Sequence, residues 1–143
     1  MKEYASADIR SFVIGGHATC GKTMLGEAML ACSGMIGRLG SIANGTTVSD
    51  YHESEQKRKI SIHATLLHTD WLGKKFNIID TPGYMDFISE AMAALRIADF
   101  ALVVVHPIDG IALGTNAVWQ YATEFGLPKM LVVNMLDKEH TNF

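Results

Sequence analysis

Cysteine and proline are scarce in this chain, which has two cysteines and three prolines among its 143 residues. Cys20 and Cys32 are too few for a disulfide framework and lack the spacing of a metal-binding cluster. This argues against a disulfide-rich secreted domain and against a cysteine-based metal site. Because free thiols are typical of a reducing cytosol, we predict a cytoplasmic protein that is stabilised by a packed core.

Long apolar runs and a strong charge of one sign are also missing. No apolar run approaches the roughly 18 to 20 residues that span a bilayer, and the polar segment 1–10 does not resemble a signal peptide. The net charge is −3, and the one dense basic cluster is Lys57-Arg58-Lys59, so we expect no nucleic-acid-binding patch. The 48% hydrophobic content is typical of a soluble globular domain without a membrane segment.

A glycine-bounded segment is the clearest chemical motif. Residues 16–23 read G-H-A-T-C-G-K-T, after an apolar run and before a helical pattern. Glycines let backbone N–H groups turn toward phosphate oxygens, and the following helix adds the positive end of its dipole. We expect Lys22 to contact the outer phosphates and the Thr23 hydroxyl to bind magnesium. The motif predicts a nucleoside triphosphate site formed by the whole loop: Gly16, His17, Ala18, Thr19, Cys20, Gly21, Lys22 and Thr23.

Strand and helix patterns alternate along the chain. We predict strands at residues 11–15, 61–69, 74–80, 100–105 and 130–134, and helices at residues 22–32, 86–97 and 115–125. A short connection at residues 70–73 predicts an antiparallel hairpin, whereas the almost wholly apolar later strands are typical of a parallel sheet. The pattern predicts one α/β domain over residues 1–143, with a mostly parallel sheet and one antiparallel hairpin strand. Residues 34–59 are polar without sustained periodicity, which indicates a long functional or disordered loop.

A second motif, D-T-P-G at residues 80–83, closes an apolar strand. Asp80 can hold a magnesium ion through water, and the Gly83 N–H can bond a terminal phosphate because glycine permits close approach. Alone this tetrapeptide is a common turn. After a phosphate-binding loop it indicates a sensor of the terminal phosphate.

Two further groups complete a candidate site. Asn134 and Asp137 follow the fifth predicted strand, where the carboxylate could accept two N–H bonds from guanine and Asn134 could tie its loop to the phosphate-binding loop. The Ser61 hydroxyl, in R-K-I-S-I, could complete the magnesium shell and order the long loop, as in nucleotide-dependent switches. A strand that simply begins at Ser61 is an equal alternative.

The ordered set of motifs resembles the translational GTPases and, within them, elongation factor G. The carrying segments are G-H-A-T-C-G-K-T, R-K-I-S-I, F-N-I-I-D-T-P-G-Y-M-D-F and V-V-N-M-L-D-K. The resemblance implies a three-layer P-loop GTPase domain that binds GTP or GDP with Mg²⁺, with the ribosome as partner of the full-length protein in translation elongation. It implies phosphate contacts from Gly16, Gly21, Lys22, Thr23 and Gly83. It also implies magnesium ligation by Thr23 and Ser61, with Asp80 acting through water, and guanine recognition by Asn134 and Asp137.

The chain departs from the family pattern at four positions. Tyr84 stands where elongation factor G usually has the histidine that positions the attacking water, and Met135 replaces the usual lysine beside the base. Thr19 replaces a common acidic residue, and Ser61 replaces threonine. We therefore expect slow GTP hydrolysis involving Lys22 and Tyr84. A non-catalytic guanine-nucleotide switch, an inert fragment and, less favoured, an ATP-using enzyme remain alternatives.

The resemblance also implies more chain than is present. The family's domain continues beyond the N-x-x-D motif with another strand, a helix and a loop that backs the guanine. We expect a domain truncated before its last strand and helix, with an apolar edge at residues 130–133 that favours self-association or lowers stability.

Overall fold

The computed structural model describes residues 3–139 and residue 141. The described elements are β1 (Ile9–Gly16), α1 (Lys22–Cys32), α2 (Glu53–Arg58), β2 (Thr65–Trp71), β3 (Lys74–Asp80), α3 (Ile88–Leu95), β4 (Phe100–Val105), α4 (Leu113–Glu124) and β5 (Lys129–Val133). Short 3₁₀ turns occur at Ser6–Asp8 and Met85–Phe87. None of the described helices has the length and apolar character needed to cross a bilayer.

The strands form one sheet in the order β2-β3-β1-β4-β5. β1 pairs in parallel with both β3 and β4, and β5 pairs in parallel with β4, whereas β2 runs antiparallel to β3. The predicted α/β fold with one antiparallel hairpin strand is therefore confirmed. The parallel register brings the carboxyl ends of β1, β3 and β4 to one edge of the sheet, where such folds place their ligands.

Helices cover both faces of the sheet because the central strands are apolar on both sides. One face packs against α3 and α4, with a core of Val13, Ile79, Ala101, Val103, Ala91, Ala94, Leu95, Val118 and Ala122. The other face packs against α1, with a core of Phe12, Ile14, Ile78, Leu102, Val104, Leu67, Leu30 and Cys20. The result is a three-layer sandwich.

The hairpin shows why β2 alternates in character. Thr65, Leu67 and Thr69 are buried while Leu66 and His68 are exposed, as expected for an edge strand with one covered face. The predicted four-residue connection is in fact two residues long. Leu72 and Gly73 have φ angles of 49° and 79°, the left-handed values that a tight hairpin turn requires.

The predicted bounds of α1, β3 and β4 are confirmed, and those of β1, α3, α4 and β5 differ by one or two residues at each end. The prediction was wrong in two larger respects. β2 begins at Thr65 rather than Ser61, because the N–H groups of residues 62–64 donate to glutamate side chains instead of a neighbouring strand. The long loop also contains α2, whose six residues are too few to show helical periodicity. Glutamates in the first turn of α2 and basic residues in its last turn complement the helix dipole.

β5 lies at one end of the described sheet. It pairs with β4 on one side, and no described strand lies on its other side. Met130 and Leu131 are 57% and 56% exposed, which agrees with the apolar edge predicted from the sequence.

Candidate functional site

A cavity of about 310 Å³ lies where the strands' carboxyl ends meet the long loop. Its walls come from the loop after β1, the turn after β3, residues 59–61 and Met135. Eight residues predicted from the sequence line it: Ala18, Thr19, Gly21, Lys22, Thr23, Ser61, Gly83 and Tyr84. The structure thus brings three separate motifs together around one space.

Two glycines allow the loop after β1 to follow its path. Gly16 has a φ of 140°, and a Cβ there would lie 2.4 Å from the Val104 carbonyl oxygen. Gly21, with a φ of 88°, precedes α1, and a Cβ there would lie 2.4 Å from Asn134 Nδ2. Any side chain would therefore push apart neighbouring segments that must touch. Thr19 has a left-handed φ of 64° at the loop's tip.

Lys22 is the buried cation of the site. Its Nζ donates a 2.7 Å hydrogen bond to the His17 carbonyl oxygen and lies 3.9 Å from Cys20 Sγ. Gly83 packs directly against it, because a Cβ at that position would be 2.3 Å from Lys22 Nζ and 2.5 Å from the Ala18 nitrogen. The turn after β3 and the loop after β1 therefore pack directly against each other beside the Lys22 amine.

Four hydroxyl and carboxylate groups meet beneath the cavity. Thr23 Oγ1 donates a 2.8 Å hydrogen bond to Asp80 Oδ2, and Ser49 Oγ donates a 2.6 Å bond to the same oxygen. Thr23 Oγ1 also lies 3.1 Å from Ser61 Oγ, from the far end of the long loop. The two serines therefore bring both halves of the long loop to the end of β3 and the first turn of α1.

The carboxylates of Asp80 and Asp50, which lie at this point, have too few hydrogen bonds and positive charges nearby to offset their burial. Asp80 is buried, and burial raises its pKa to about 6, against the hydrogen bonds from Ser49 and Thr23 and the charge of Lys22. Burial also raises the pKa of Asp50, and a hydrogen bond with Ser61 partly offsets that effect. Oδ1 of each aspartate is buried without a hydrogen-bond partner among the described residues. Such oxygens are placed to accept from water or to face a cation.

This donor set fits a magnesium ion. Magnesium takes octahedral oxygen ligands at about 2.1 Å, so adjacent ligand oxygens lie about 3.0 Å apart. The 3.1 Å separation of the Thr23 and Ser61 oxygens matches that edge. Because the Thr23 proton is donated to Asp80, its lone pairs are available to a metal, while the bare Asp80 oxygen can accept from a metal-bound water.

The N-x-x-D segment follows β5. Asn134 Nδ2 donates to the Cys20 carbonyl oxygen at 3.0 Å, so the amide ties this segment to the phosphate-binding loop as expected. Met135 has a left-handed φ of 59° and lines the cavity. Asp137 is exposed and is not among the described residues that line the cavity.

The remaining predicted residues lie around the cavity and do not line its wall. Gly16, Cys20 and Asp80 are buried, and His17 contacts the first turn of α4, where its Nδ1 accepts from the Gly114 N–H at 3.3 Å. Gly114 packs closely there, since a Cβ would lie 3.0 Å from the Gly83 carbonyl oxygen.

Comparison with known proteins identifies the fold's family. The family model described as the elongation factor Tu GTP binding domain matches residues 7–143. The chain belongs to this family of translational GTPase domains.

Individual relatives of this translational GTPase domain are translation factors by name. The chain is 37% identical over 135 residues to an elongation factor G-like protein of Mycobacterium tuberculosis, and 38% identical over 134 residues to mitochondrial ribosome-releasing factor 2 of Candida dubliniensis. Each alignment covers 94% of this chain but only 19% and 17% of the relative. The chain thus spans about one fifth of the length of these relatives.

Solved structures with the same fold also match most of this chain. A crystal structure of a protein from Thermus thermophilus matches with a TM-score of 0.89 and 38% identity, over 92% of this chain and 20% of that one. The bacterial selenocysteine-specific elongation factor EF-Sec matches with a TM-score of 0.71 and 27% identity, over 90% of this chain and 20% of that one.

Several residues of this translational GTPase domain were not anticipated from the sequence. Ser49 and Asp50 reach the candidate magnesium site, and Lys59 and Ile60, which belong to the R-K-I-S-I segment but had no predicted role, line the cavity. The sequence gives little indication of their role, because these residues lie in or beside a polar loop that has no helical or strand periodicity. The requirement that a buried loop satisfy its backbone N–H groups could have directed attention to the glutamates near it.

Proposed function

We propose that this chain is a guanine-nucleotide-binding domain that binds GTP and GDP with Mg²⁺ and hydrolyses GTP slowly. The observation that carries the proposal is the convergence of Thr23, Ser61 and Asp80 beside Lys22 at one cavity. Membership of the elongation factor Tu GTP-binding domain family supports the same conclusion.

The loop after β1 and the turn after β3 would hold the phosphates. Lys22 would exchange its bond with the His17 carbonyl for the outer phosphates, and the backbone N–H groups of residues 18–23 and of Gly83 would donate to phosphate oxygens. Asn134 and Asp137 would recognise guanine, with Met135 packed against the base. Closure onto the base would have to bring the exposed Asp137 carboxylate toward the cavity.

Thr23 and Ser61 would bind Mg²⁺ directly, and Asp80 would hold a metal-bound water. The ion would supply positive charge at the phosphate oxygens, where charge develops during phosphoryl transfer. Asp80 orients the Thr23 lone pairs by accepting a hydrogen bond from its hydroxyl. Ser61 would report the presence of the terminal phosphate because it belongs to the long loop rather than to the sheet.

Hydrolysis would be slow because of Tyr84. Its side chain lines the cavity and is 38% exposed, so it can reach a water beside the terminal phosphate. A neutral phenol places a weaker acid–base group there than an imidazole would. Lys22 would stabilise the developing phosphate charge. The presence of Tyr84 in the cavity wall also favours the second candidate, a guanine-nucleotide switch without turnover.

We place the full-length protein in translation, with the ribosome as partner, and in the cytoplasm. The names of its relatives support the first assignment, and the free thiols Cys20 and Cys32 support a reducing compartment. For the present chain we also propose self-association through the apolar edge of β5.

Calorimetric titration with GTP, GDP and ATP in magnesium tests the nucleotide assignment. We expect binding of both guanine nucleotides, with an affinity at least about tenfold higher than for ATP, and a loss of about tenfold or more in Lys22→Ala. Lys57→Ala removes the same charge from an exposed, paired position and serves as the control. No heat with either guanine nucleotide would remove the proposed function, and equal affinity for ATP would remove the guanine assignment.

A further inference from the structure

The long loop reaches the candidate magnesium site without the support of a sheet. Among the described residues between α1 and β2, the only regular element is the short helix α2. Ser49 and Ser61 nevertheless lie within hydrogen-bonding distance of Asp80 and Thr23. Something other than strand pairing must fix their backbone.

Glu55 on α2 holds the segment around Ser61. Its side chain is fully buried, and Oε1 accepts hydrogen bonds from the N–H groups of Ile62 at 2.9 Å and His63 at 3.0 Å. Oε2 accepts from the His52 N–H at 3.3 Å. The two residues that follow Ser61 are therefore bonded to one buried carboxylate.

Glu27 on α1 holds the segment before Ser49 in the same manner. It is also fully buried, and its two oxygens accept from the N–H groups of Gly40, at 2.9 Å, and of Val48. Val48 immediately precedes Ser49. Gly40 has no room for a side chain, since a Cβ would lie 2.4 Å from the Thr46 carbonyl oxygen.

Neither glutamate has a cationic partner in the ion pairs of the described residues. A buried carboxylate without a counterion is costly unless hydrogen bonds compensate it, and here backbone N–H groups of one loop provide them. The bonds also satisfy the loop, because these backbone N–H groups have no strand to pair with and would otherwise lack an acceptor. Each carboxylate thus fixes a specific backbone geometry next to a hydroxyl of the site.

We propose that Glu27 and Glu55 are positioning residues of the magnesium site. Glu55 would set Ser61 for binding Mg²⁺, and Glu27 would set Ser49 for its hydrogen bond to Asp80, which would hold a metal-bound water. The proposal rests on the proposed function, since it assigns these carboxylates to that same site. Glutamine keeps the size of the side chain but turns an NH₂ group toward a backbone N–H. The hydroxyls would then lose their fixed position although they remain in the chain.

The experiment measures how Mg²⁺ slows the release of a fluorescent GTP analogue from the 143-residue chain. In Glu55→Gln and Glu27→Gln we expect the magnesium concentration for half-maximal slowing to rise about 10- to 100-fold, as for outer partners of metal ligands, with release in EDTA unchanged. Glu53→Gln is the matched control, because Glu53 lies on the same helix but is exposed and pairs with Lys57. It should behave as the wild type.

A double-mutant cycle separates positioning from general stability. If Glu55 acts through Ser61, Glu55→Gln should have little further effect on the magnesium dependence in a Ser61→Ala background. Additive effects, or an unchanged magnesium dependence in both glutamine variants, would overturn the proposal. Failure of both variants to fold, judged by circular dichroism, would also overturn it in favour of a purely structural role.

Hydrogen exchange on the nucleotide-free chain gives a readout that does not require binding. We expect faster exchange of the Ile62 and His63 amides in Glu55→Gln and of the Val48 amide in Glu27→Gln, with the control unchanged. Wild-type exchange rates in these variants would overturn the positioning assignment by themselves. Absence of nucleotide binding by the wild-type chain would instead remove the proposed function, so the two failures are distinguishable.

Discussion

The Asn134 side-chain amide donates a 3.0 Å hydrogen bond to the Cys20 carbonyl oxygen, joining residues 114 positions apart in the chain. A second, longer contact of 3.5 Å reaches the Gly21 carbonyl. The bond connects the segment after β5 with the loop after β1. The base side and the phosphate side of the proposed nucleotide site therefore share one support, whose geometry depends on a single amide.

Asn134→Ala should weaken both sides of the site at once. Loss of the bond leaves a partly buried carbonyl without its donor, which costs about 1 kcal/mol of unfolding free energy. We expect GTP affinity to fall about tenfold or more in calorimetric titration, because the phosphate-binding loop loses its tie to the segment after β5. Asn116→Ala, on the exposed side of α4, is the control and should change neither quantity. An unaltered GTP affinity in Asn134→Ala would contradict this role.

Much of the fold and of the loop after β1 could be predicted because the local chemistry requires particular residue types. Gly16 and Gly21 adopt positive φ angles against neighbouring atoms, and the apolar run of β4 fits a strand covered on both faces. The support of the long loop could not be predicted. Glu55 and Glu53 are indistinguishable in the sequence, yet one is fully buried and the other is exposed. Only the tertiary packing of α2 separates them.

Gly83→Ala should displace the lysine of the site. The added Cβ would lie 2.3 Å from Lys22 Nζ and 2.5 Å from the Ala18 backbone nitrogen, distances that no relaxed contact reaches. The side chain of Lys22 can move, but the backbone of Ala18 cannot without shifting the loop. We expect a loss of about 1 to 3 kcal/mol in unfolding free energy, measured by urea titration, and a loss of GTP binding.

Gly37→Ala is the matched control for this substitution. Gly37 does not have a positive φ, and beyond its chain neighbours no described heavy atom lies within 4 Å of the point that a Cβ would occupy. The control should bind GTP as the wild type does and should be at least as stable. Equal GTP binding and equal unfolding free energy in the two alanine variants would show that neither property needs the contact between the turn after β3 and the loop after β1.

Tyr84→His should accelerate hydrolysis. An imidazole at this position of the cavity wall can accept a proton near neutral pH, whereas a phenol cannot, so we expect the single-turnover rate to rise at least about tenfold. Nucleotide affinity should be little changed. Tyr51→His is the control, because Tyr51 is 60% exposed and does not line the cavity. An equal rate for Tyr84→His and the wild type, with binding demonstrated for both, would favour the switch without turnover.

Asp80 should make the stability of the metal-free domain depend on pH. Burial raises its pKa from 3.8 to about 6 in the folded state, so between those values the folded chain binds more protons than the unfolded chain. The contribution of this group therefore favours folding at low pH and is lost as the pH rises toward 6. Integrated over the window, the loss is about 3 kcal/mol. Above this pKa the contribution should stay constant.

Urea unfolding of the wild type and of Asp80→Asn, from about pH 4.5 to about pH 7.5 in EDTA, measures this contribution. The neutral amide cannot titrate, so the stability of the wild type relative to the variant should fall as the pH approaches the raised pKa and then level off. Added Mg²⁺ should restore wild-type stability at the upper end of the range but not that of the variant. A constant difference between the two proteins across the whole range would refute the raised pKa.

Leu131→Lys should reduce self-association of the chain. Leu131 is 56% exposed on β5, whose outer edge has no described strand beside it, and a lysine on an edge strand opposes pairing with another copy. We expect the wild-type molar mass in light scattering to rise with concentration and that of the variant to remain monomeric. Leu72→Lys is the control, because Leu72 is 87% exposed at the hairpin tip, far from β5 in the strand order. If both variants associate like the wild type, the edge of β5 is not the contact.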